Sequence, residues 1–434
     1  MRKYLIVPCC SDLNRGDQAL SWETRKIAEE AGFIGQYYMT AERNEPVDQS
    51  KGKGFDIVYP LLEHPSRKFK NKDNIIYSRT LKIKWGVVAL FDLVFSFFLL
   101  FKYARNILKK IVTPEKRRSI ELFEDADAIF MKGGGLLQTY GGISSSYSMY
   151  FWVYPLLLAH RMKKDVYIMP NSFGPFRGLF VKKIAYKALK SCKFISARES
   201  YSQNALDKIL GISAGNYADL AFELPSAVMD KDSVIFKFGL PLDKKLVALT
   251  MRPYRFPKSK NSDKAYLDFK QSFSIFIEWL YSKGLFPVIV EHTLAVNSHE
   301  NDGACIKDVV KNLNKEHYRI ISDDNYDCED LKAIYGMFQY IVGTRFHSMI
   351  FSFGCNVPGI AISYVGNKST GIMHDMDLDD FVIDIYSVNS DVLINKFELL
   401  LSLENEVKMK IFNYQKKAEL SNKKLVEELK KLRK

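Results

Sequence analysis

The sequence predicts an α/β protein built from two domains, and two observations carry this prediction. Short apolar runs alternate with amphipathic helical segments along most of the chain, which is the pattern of parallel sheets covered by helices. The chain also has 434 residues, which exceeds one ordinary hydrophobic core. We place the first domain at 1–230 with an insertion at 66–118, the second domain at 231–405 and a basic helix at 406–434.

Composition and charge favour a folded protein of a reducing compartment. Hydrophobic residues make up 47% of the chain, and the net charge is +13. Most of that charge comes from 67–118, where 14 lysines and arginines stand against three acids. The six cysteines are scattered without a metal-binding or disulfide spacing, so we expect neither a metal site nor a disulfide framework. The apolar amino terminus breaks into the polar segment SDLNRGD, which indicates a first strand and not a secretion signal.

The first domain begins with a strand, a glycine-containing loop and a helix. The strand covers Lys3–Cys9, and the helix begins near Asp17 and ends at Gly32. This arrangement suits phosphate binding, but the loop lacks the spacing of a dinucleotide-binding motif or a P-loop. Asn14 and Asp17 are candidates to hydrogen-bond a sugar, and capping of the helix is the more ordinary explanation for both.

The insertion contains an apolar stretch, Gly86–Phe101, of 16 residues interrupted by Asp92. This stretch is shorter than the roughly 20 residues needed to cross a bilayer. The cations that flank it are Lys82, Lys84, Lys102, Arg105, Lys109 and Lys110. An apolar helix with cationic edges predicts contact of 82–110 with an anionic membrane surface. The alternative is a buried helix of the first domain with solvated ends.

Glycines and an arginine follow two further strands of the first domain. The strand Asp127–Met131 runs into Gly133–Gly135, which let a ligand or another backbone approach closely. The glycine- and serine-rich segment 141–146 is a candidate mobile lid, with a tight connection as the alternative. The strand that ends at Ala197 leads into Arg198, which is an anion ligand or half of an ion pair with a neighbour.

A linker at 225–245 precedes a second alternating series. Its strands are predicted near 246–250, 286–291, 318–321, 340–343 and 357–363, and its helices near 268–283, 301–314 and 329–338. The tail from Val407 is predicted as a lysine-rich helix that packs along one face.

The most informative stretch is Tyr340–Phe353. An apolar strand end is followed by Gly343, which frees the backbone to turn, and by Thr344, a good helix N-cap. Arg345 and His347 then fall in the first helical turn, at the carboxyl end of a strand, where ligands of open α/β sheets bind. The helix N-terminus and Arg345 favour an anion, and His347 changes protonation near neutral pH. An ordinary helix start with a surface arginine and a half-buried histidine is an equal alternative.

Seven motifs in a fixed order resemble the polysaccharide pyruvyltransferase family. The motifs are NRGDQAL, KGGGLLQ, NSFGPF, ISARES, YADLAF, VGTRFHSMIFSF and VPGIAISYVGNKSTGIM. They extend from Asn14 to about Met376, and the stretch Gly86–Phe101 lies outside the resemblance. The resemblance implies a glycosyltransferase-B-like fold, in which two Rossmann-like domains face each other across a cleft.

The same resemblance implies an activity. Members transfer a pyruvyl group from phosphoenolpyruvate to two hydroxyls of a sugar, which forms a cyclic ketal and releases phosphate. The sugar belongs to a capsule, an exopolysaccharide or a cell-wall polymer, or to its lipid-linked precursor. Phosphoenolpyruvate is a co-substrate, and neither a cofactor nor a metal is expected. With a lipid-linked acceptor, we expect a cytoplasmic protein that docks on the inner face of the cytoplasmic membrane.

The residues that match the family motifs receive roles from the resemblance. His347 is the expected general acid and then base, and Arg345 is the second expected catalytic residue. The expected donor-binding residues are Arg198, Arg345, His347, Lys368, Thr344 and Ser348. The expected acceptor-binding residues of the first domain are Asn14, Asp17, Gly133, Gly134 and Gly135.

Two other functions remain open from the sequence. One is a nucleotide-sugar glycosyltransferase of the same architecture, which is disfavoured because no acidic sugar-binding pattern follows Arg345. The other is a non-catalytic member of the family that binds a polysaccharide precursor. A nucleic-acid binder is disfavoured, because the positive charge flanks an apolar helix and no nucleic-acid-binding motif is present.

Overall fold

A computed structural model describes residues 1–9, 11–69, 78–142, 144–294, 300–364 and 366–433. Parts of three predicted segments lie outside the described residues. These are residues 70–77 of the insertion, Ile143 of the candidate lid and Lys434 of the tail.

The strands form two parallel sheets, one in each half of the chain. They are β1 Lys3–Val7, β2 Gln36–Thr40, β3 Phe55–Val58, β4 Ala128–Met131, β5 Gly134–Tyr140, β6 Asp165–Arg177, β7 Phe194–Ala197, β8 Gly215–Asn216, β9 Lys245–Thr250, β10 Leu285–Val290, β11 Arg319–Ile321, β12 Tyr340–Gly343, β13 Gly359–Ser363 and β14 Val382–Asp384. The first sheet has the order β3-β2-β1-β4-β6-β7-β8, with β5 paired to β6, and the second has the order β11-β10-β9-β12-β13-β14. In each sheet the order reverses beside the first strand, which is the Rossmann arrangement.

Helices cover both sheets. They are α1 Arg15–Glu30, α2 Asp48–Gly52, α3 Pro65–Lys68, α4 Arg79–Leu99, α5 Lys102–Ile111, α6 Pro114–Asp125, α7 Ser145–Arg161, α8 Val181–Leu189, α9 Ser200–Ala205, α10 Lys231–Phe238, α11 Ser262–Ser282, α12 Asp302–Val310, α13 Cys328–Tyr335, α14 Phe346–Gly354, α15 Lys368–Asp375, α16 Ser390–Ser402 and α17 Glu404–Arg433. A π-helical turn, Leu206–Leu210, and 3-10 turns at Leu220–Phe222, Lys315–His317, Asp379–Phe381 and Ile385–Ser387 complete the elements. The five strands predicted for the second half are all present, each within a few residues of its expected position.

Successive residues of a strand enter different cores, because side chains alternate across a sheet. Ile129 of β4 packs on one face of the first sheet with Val153 of α7. Phe130, the next residue, lies on the opposite face in a core that also contains Ile350 of α14 and Leu425 of α17. Both domains contribute to this second core, so they pack against each other.

The carboxyl-terminal helix α17 returns from the second domain to the first. Arg433 Nη1 donates to the Gly32 carbonyl at 2.8 Å, and the Ala218 backbone N–H donates to Ser421 Oγ at 2.9 Å. Because these contacts cross between the halves of the chain, α17 fastens the second domain to the first.

Three segments differ locally from expectation. Gly134–Tyr140 is strand β5, which the sequence did not predict, and α7 already begins at Ser145, inside the predicted lid at 141–146. The strand forms because it pairs with the far end of β6, a partner that the local sequence does not reveal. The predicted linker also contains a helix, α10, which Asp230 caps by accepting a hydrogen bond from the Asp232 N–H.

The insertion turns its apolar side chains outward, contrary to the buried alternative. The exposed apolar residues of α4 and its end are Ile83, Val87, Leu90, Phe91, Val94, Phe97, Phe98 and Phe101. They recur every three or four positions and therefore form one continuous stripe, which we call the α4 stripe. Arg105 and Lys109 face inward and bind Glu124, so they do not serve as surface cations. Nowhere in the described ranges does a helix combine the length and hydropathy needed to cross a bilayer.

Candidate active site

The site lies at the carboxyl ends of the strands where the order of each sheet reverses. The segment after β1 meets those after β10 and β12 across the domain boundary, as the antiparallel bridge between Asn14 and Thr293 and the close approach of Gly16 to His347 show. Ligands of open α/β sheets bind at such positions, because neighbouring loops diverge there and leave a crevice. Both sheets therefore direct their polar strand ends toward one shared cleft.

Arg198 is fully buried at the end of β7 and keeps one guanidinium nitrogen for a ligand. Its Nη1 donates to Asp219 Oδ2 at 2.5 Å, and its Nε donates to Ser172 Oγ at 2.8 Å. Among the described residues, Nη2 has no hydrogen-bond partner. A Cβ placed on Gly135 would lie 3.2 Å from this Nη2, so the glycine leaves the nitrogen uncovered. Arg198 thus pairs with Asp219, not with the neighbouring Glu199.

His347 enters the cleft from the second domain and rests against the start of α1. Its Nδ1 lies 3.4 Å from Lys368 Nζ, and its Nε2 lies 4.0 Å from Asp219 Oδ2 without a hydrogen-bond partner in the described part of the chain. A Cβ on Gly16 would lie only 2.1 Å from Nδ1, so this approach requires glycine. Burial, followed by the positive charges of Lys368 and Arg198, holds the pKa of His347 well below its ordinary value.

Lys368 starts helix α15 and lies half-buried beside the histidine. Burial first, and then the positive charge of Arg198, lower the pKa of Lys368 to about 7. Arg198, His347 and Lys368, which the sequence analysis assigned to donor binding, are therefore brought together by the fold. An anion in this space would favour the protonated forms of both His347 and Lys368.

Asn14, Asp17 and the glycines form the first domain's side of the cleft. Asn14 caps α1, because its side chain accepts a hydrogen bond from the Asp17 N–H at 3.3 Å. Helix capping was the alternative to sugar binding in the sequence analysis. The Asp17 carboxylate forms an ion pair with the buried Lys132. Gly133 allows a close backbone approach, since a Cβ there would lie 2.9 Å from the Pro170 carbonyl.

Gly134 adopts a φ of +152° at the beginning of β5, in the region that favours glycine. Binding of an acceptor by Asn14, Asp17 and the glycines Gly133, Gly134 and Gly135 stays a prediction.

Arg345 binds a carboxylate of its own domain. Its Nε and Nη2 donate to Asp302 Oδ1 at 2.9 and 2.6 Å. Arg345 also stands at the N-cap position of α14 in place of Thr344, whose hydroxyl donates to the Thr250 carbonyl at 3.2 Å. The predicted cap is therefore wrong, because the hydroxyl of Thr344 binds the neighbouring strand β9.

Ser348 and Gly343 also differ from expectation. The Ser348 hydroxyl is fully buried and donates to the Arg345 carbonyl at 2.5 Å, so it is used within the protein. Gly343 lies in strand β12 and not in a turn. A Cβ there would lie 2.7 Å from Thr250 Oγ1, so the glycine permits close packing of β12 on β9.

Four residues of the site escaped sequence reasoning: Gly16, Lys132, Asp219 and Asp302. Asp219 and Lys132 stand inside motifs that carry the family resemblance, yet their pairing with Arg198 and Asp17 depends on contacts between distant segments. No sequence motif marked Asp302 as a site residue, since it merely stands at the start of a predicted helix. The described residues contain no cluster of histidine, cysteine, aspartate and glutamate that is able to hold a metal ion.

The chain is similar to several known proteins. It is 24% identical over 315 residues to the amylovoran biosynthesis protein AmsJ of Erwinia amylovora, covering 70% of this chain and 73% of that protein. The structure resembles UDP-GlcNAc 2-epimerase from Neisseria meningitidis, with a TM-score of 0.59, 13% identity and coverage of 99% of this chain and 100% of the other. It also resembles a UDP-glucosyltransferase from Polygonum tinctorium, with a TM-score of 0.55, 9% identity and coverage of 99% and 98%.

The structural likenesses show the fold, and a family profile shows the family. The two structural relatives establish a glycosyltransferase-B-like architecture, as the sequence predicted. The profile of the family described as polysaccharide pyruvyl transferase matches residues 14–367, which is most of the chain and includes His347. The chain therefore belongs to the polysaccharide pyruvyl transferase family, a family of transferases that modify polysaccharides.

Proposed function

We propose that this protein transfers a pyruvyl group from phosphoenolpyruvate to two hydroxyls of a polysaccharide sugar and forms a cyclic ketal. The observation that carries the proposal is the meeting of Arg198, His347 and Lys368 in one buried space. Arg198 Nη2 and His347 Nε2 both lack a hydrogen-bond partner among the described residues. Buried polar atoms are nearly always paired, so two such atoms in one cleft indicate a ligand that binds both.

The charges around this space suit a compact anion. The cations are Arg198, Lys132 and Lys368, and the carboxylates that face them are Asp17 and Asp219. Phosphoenolpyruvate carries a phosphate of about −2 together with a carboxylate. A ligand of this charge compensates the desolvated cations, whereas a neutral sugar does not.

The chemistry requires one proton at carbon and the loss of two hydroxyl protons. Protonation of the methylene carbon creates a methyl group and positive charge at the adjacent carbon, which the first sugar hydroxyl attacks. The second hydroxyl then displaces phosphate. One hydroxyl proton replaces the proton given to carbon, and the other leaves with hydrogen phosphate, so the atoms balance.

His347 is the proposed proton donor and then acceptor. Its Nε2 is unpaired in the described structure, while Nδ1 faces Lys368 Nζ at 3.4 Å. Without a bound anion, the lowered pKa of His347 keeps the imidazole neutral. Binding of the phosphate and carboxylate offsets the charges of Lys368 and Arg198, which raises the pKa of His347 and enables it to act as an acid.

Lys368 is proposed to neutralise the departing phosphate. The same lysine lies beside Gly135, where a Cβ would be 3.8 Å from its Cδ, so it reaches across to the first domain. The sugar acceptor is proposed to bind on that domain, at Asn14, Asp17 and the glycines of the β4–β5 connection. No cofactor other than the co-substrate is included in this proposal.

We also propose that the protein docks on an anionic membrane surface through the α4 stripe and works at the inner face of the cytoplasmic membrane. The stripe is wholly apolar, and the exposed cations at its ends are Lys82, Lys84, Lys102 and Lys110. An apolar face between cations is attracted both by the acyl boundary and by anionic headgroups. Docking there brings the cleft to a lipid-linked acceptor.

The proposal is tested by thermal unfolding with phosphoenolpyruvate and, separately, with a panel of nucleotide sugars. A ligand at about 100 times its dissociation constant stabilises the folded state by roughly 2.7 kcal/mol. We expect this response to phosphoenolpyruvate and not to the nucleotide sugars. His347→Gln should retain the response, because it keeps the shape of the site, but should lose roughly 100-fold or more in phosphate release.

Other outcomes separate the competing functions. Stabilisation by a nucleotide sugar alone would contradict the proposal and favour a glycosyltransferase. Stabilisation by phosphoenolpyruvate with equal phosphate release from wild type and His347→Gln would exclude His347 as the proton donor. A response to neither ligand would favour a non-catalytic member of the family.

A further inference from the structure

The loop between β6 and α8 ends in an apolar tip, Leu179–Phe180, that the catalytic cleft does not use. Leu179 is 71% exposed and Phe180 is 62% exposed. Phe180 also adopts a left-handed backbone, with a φ of +58°, which costs free energy for a bulky residue. Two exposed apolar side chains on a strained turn indicate a contact outside the described chain.

Cations surround this tip. The exposed basic residues of the segment are Arg177, Lys182, Lys183, Lys187 and Lys190, and no acidic residue occurs between 177 and 190. Lys182 and Lys183 belong to the first turn of α8, directly behind Phe180. The tip therefore repeats the chemistry of the α4 stripe, in which apolar side chains project between cations.

Helix α7 connects the tip to helix α4. Near the start of α7, the Ser146 hydroxyl donates to the Leu179 carbonyl. The next residue, Tyr147, donates through its hydroxyl to Asp92 Oδ2 in the middle of α4 at 3.3 Å. Since one turn of α7 touches both elements, the tip and helix α4 are neighbours in the first domain, and Asp92 lies on the face of α4 opposite the stripe.

The tip also stands near the rim of the cleft. Arg177, two residues before Leu179, is the register partner of Tyr140 at the end of β5. The Tyr140 hydroxyl donates to Gln138 Oε1 at 3.0 Å, and a Cβ on Gly366 of the second domain would lie 1.9 Å from that oxygen. The end of β5 thus touches the second domain on one side and the base of the tip on the other.

We propose that Leu179 and Phe180 insert into an anionic membrane surface as a second contact in addition to the α4 stripe, near the cleft. This inference rests on the membrane docking proposed above and adds an insertion point that sets the orientation of the cleft. With both contacts engaged, the rim formed by β5 and Gly366 faces the bilayer. The headgroup sugar of a lipid-linked acceptor then enters the cleft from the membrane side.

A lipid surface fits the tip better than a protein partner does. Two side chains supply far less than the roughly 800 Å² that each partner of a stable protein interface buries. Insertion of a small apolar tip with cations around it requires only an acyl boundary and anionic headgroups. The uniformly positive flank matches such a surface, whereas protein interfaces usually carry mixed charges.

The test is partition of the full chain onto vesicles of phosphatidylcholine mixed with phosphatidylglycerol. The variant Phe180→Gly suits the left-handed backbone, so it removes the side chain without unfolding the turn. We expect roughly tenfold weaker partition onto the vesicles for Phe180→Gly. The double variant that also carries Leu179→Ser should partition more weakly still. The matched control is Phe236→Ser, because Phe236 is 90% exposed in the second domain and should leave partition unchanged.

Each remaining outcome overturns a defined part of the inference. If Phe180→Gly partitions like wild type while Phe91→Asp in the α4 stripe weakens partition, the tip is not a contact and docking through α4 stands. If wild type does not bind vesicles, both membrane contacts are wrong. If the tip variants change self-association and not partition, a second copy covers the tip. Stabilisation by phosphoenolpyruvate, measured on the same variants, tests the transferase proposal separately.

Discussion

Arg198 and Arg345 each follow a strand end, one in each domain, yet their surroundings give them different tasks. Each arginine follows the end of a parallel strand, is buried and pairs with a buried aspartate. Arg198 uses Nη1 on Asp219 and keeps Nη2 unpaired among the described residues. Arg345 instead commits both Nε and Nη2 to Asp302.

This difference shows that an arginine at a strand end is not by itself a ligand-binding residue. The direction of the guanidinium decides its role, and the partner carboxylate decides that direction. Arg198 is aimed at the space beside Gly135 and Lys368, whereas Arg345 braces α14 against α12 through Asp302. We therefore expect Arg345 to position His347 rather than to hold the donor by itself.

The largest effect is expected from Asp302→Asn, which removes the charge partner of Arg345. Loss of one member of a buried ion pair costs about 3–5 kcal/mol, because the remaining charge stays desolvated. We expect a fall of that size in the free energy of unfolding, measured by urea denaturation. Lys53→Gln serves as a control, since its pair with Glu329 is partly exposed and should cost at most about 1 kcal/mol. An equal effect of the two changes would mean that Asp302 and Arg345 do not form a structural pair.

The second prediction compares Arg198→Lys with Arg345→Lys in phosphate release from phosphoenolpyruvate. Lysine keeps the charge but lacks the planar fork, so at Arg198 it cannot bind Asp219 and the donor together. We expect roughly 100-fold lower kcat/KM for Arg198→Lys and about tenfold lower for Arg345→Lys. The reverse order would assign donor binding to Arg345 and contradict the comparison.

The third prediction concerns Gly16, which lets His347 lie against α1. A Cβ at this position would be 2.1 Å from Nδ1 and 2.5 Å from Cγ, so Gly16→Ala must displace the ring or the domain. Overpacking of this kind lowers the free energy of unfolding by about 1–3 kcal/mol. We expect lower kcat at unchanged helix content by circular dichroism, with Gly52→Ala as the control because a Cβ there meets nothing within 4 Å. Full activity of Gly16→Ala would show that the ring is free to move away from α1.

The smallest effect is a pH dependence of donor binding that arises from Lys368. In the empty site the pKa of Lys368 is about 7, and the donor anion raises it. Below this pH the lysine is already protonated, so its titration leaves affinity unchanged. Above it, binding must take up a proton, and affinity should fall by up to about tenfold per pH unit.

Titration calorimetry from about pH 6 to about pH 9 in buffers of different ionisation enthalpy measures this uptake directly. In Lys368→Met the uptake above neutral pH should be smaller than in wild type by up to one proton. An unchanged uptake in that variant would assign the proton to another group, and His347 is then the next candidate.

The local pattern of the sequence determined the main elements of the fold. Apolar runs of strand length between helical segments predicted most of the parallel strands, because buried parallel strands must be apolar on both faces. Motif matching also selected Arg198, His347 and Lys368, which the structure brings together. Strand β5 was missed, because glycine disfavours a strand and only pairing with β6 compensates for that.

Tertiary structure alone decided which groups are partners and which atoms stay free. Arg198 and Asp219 are 21 residues apart, Arg345 and Asp302 are 43 apart, and Gly16 meets His347 across the domain boundary. Such pairs depend on how whole domains pack, and the spacing of residues along the chain does not predict them. Tertiary structure alone also shows that the α4 stripe faces outward. Sequence periodicity shows that a helix has an apolar face, but not what that face contacts.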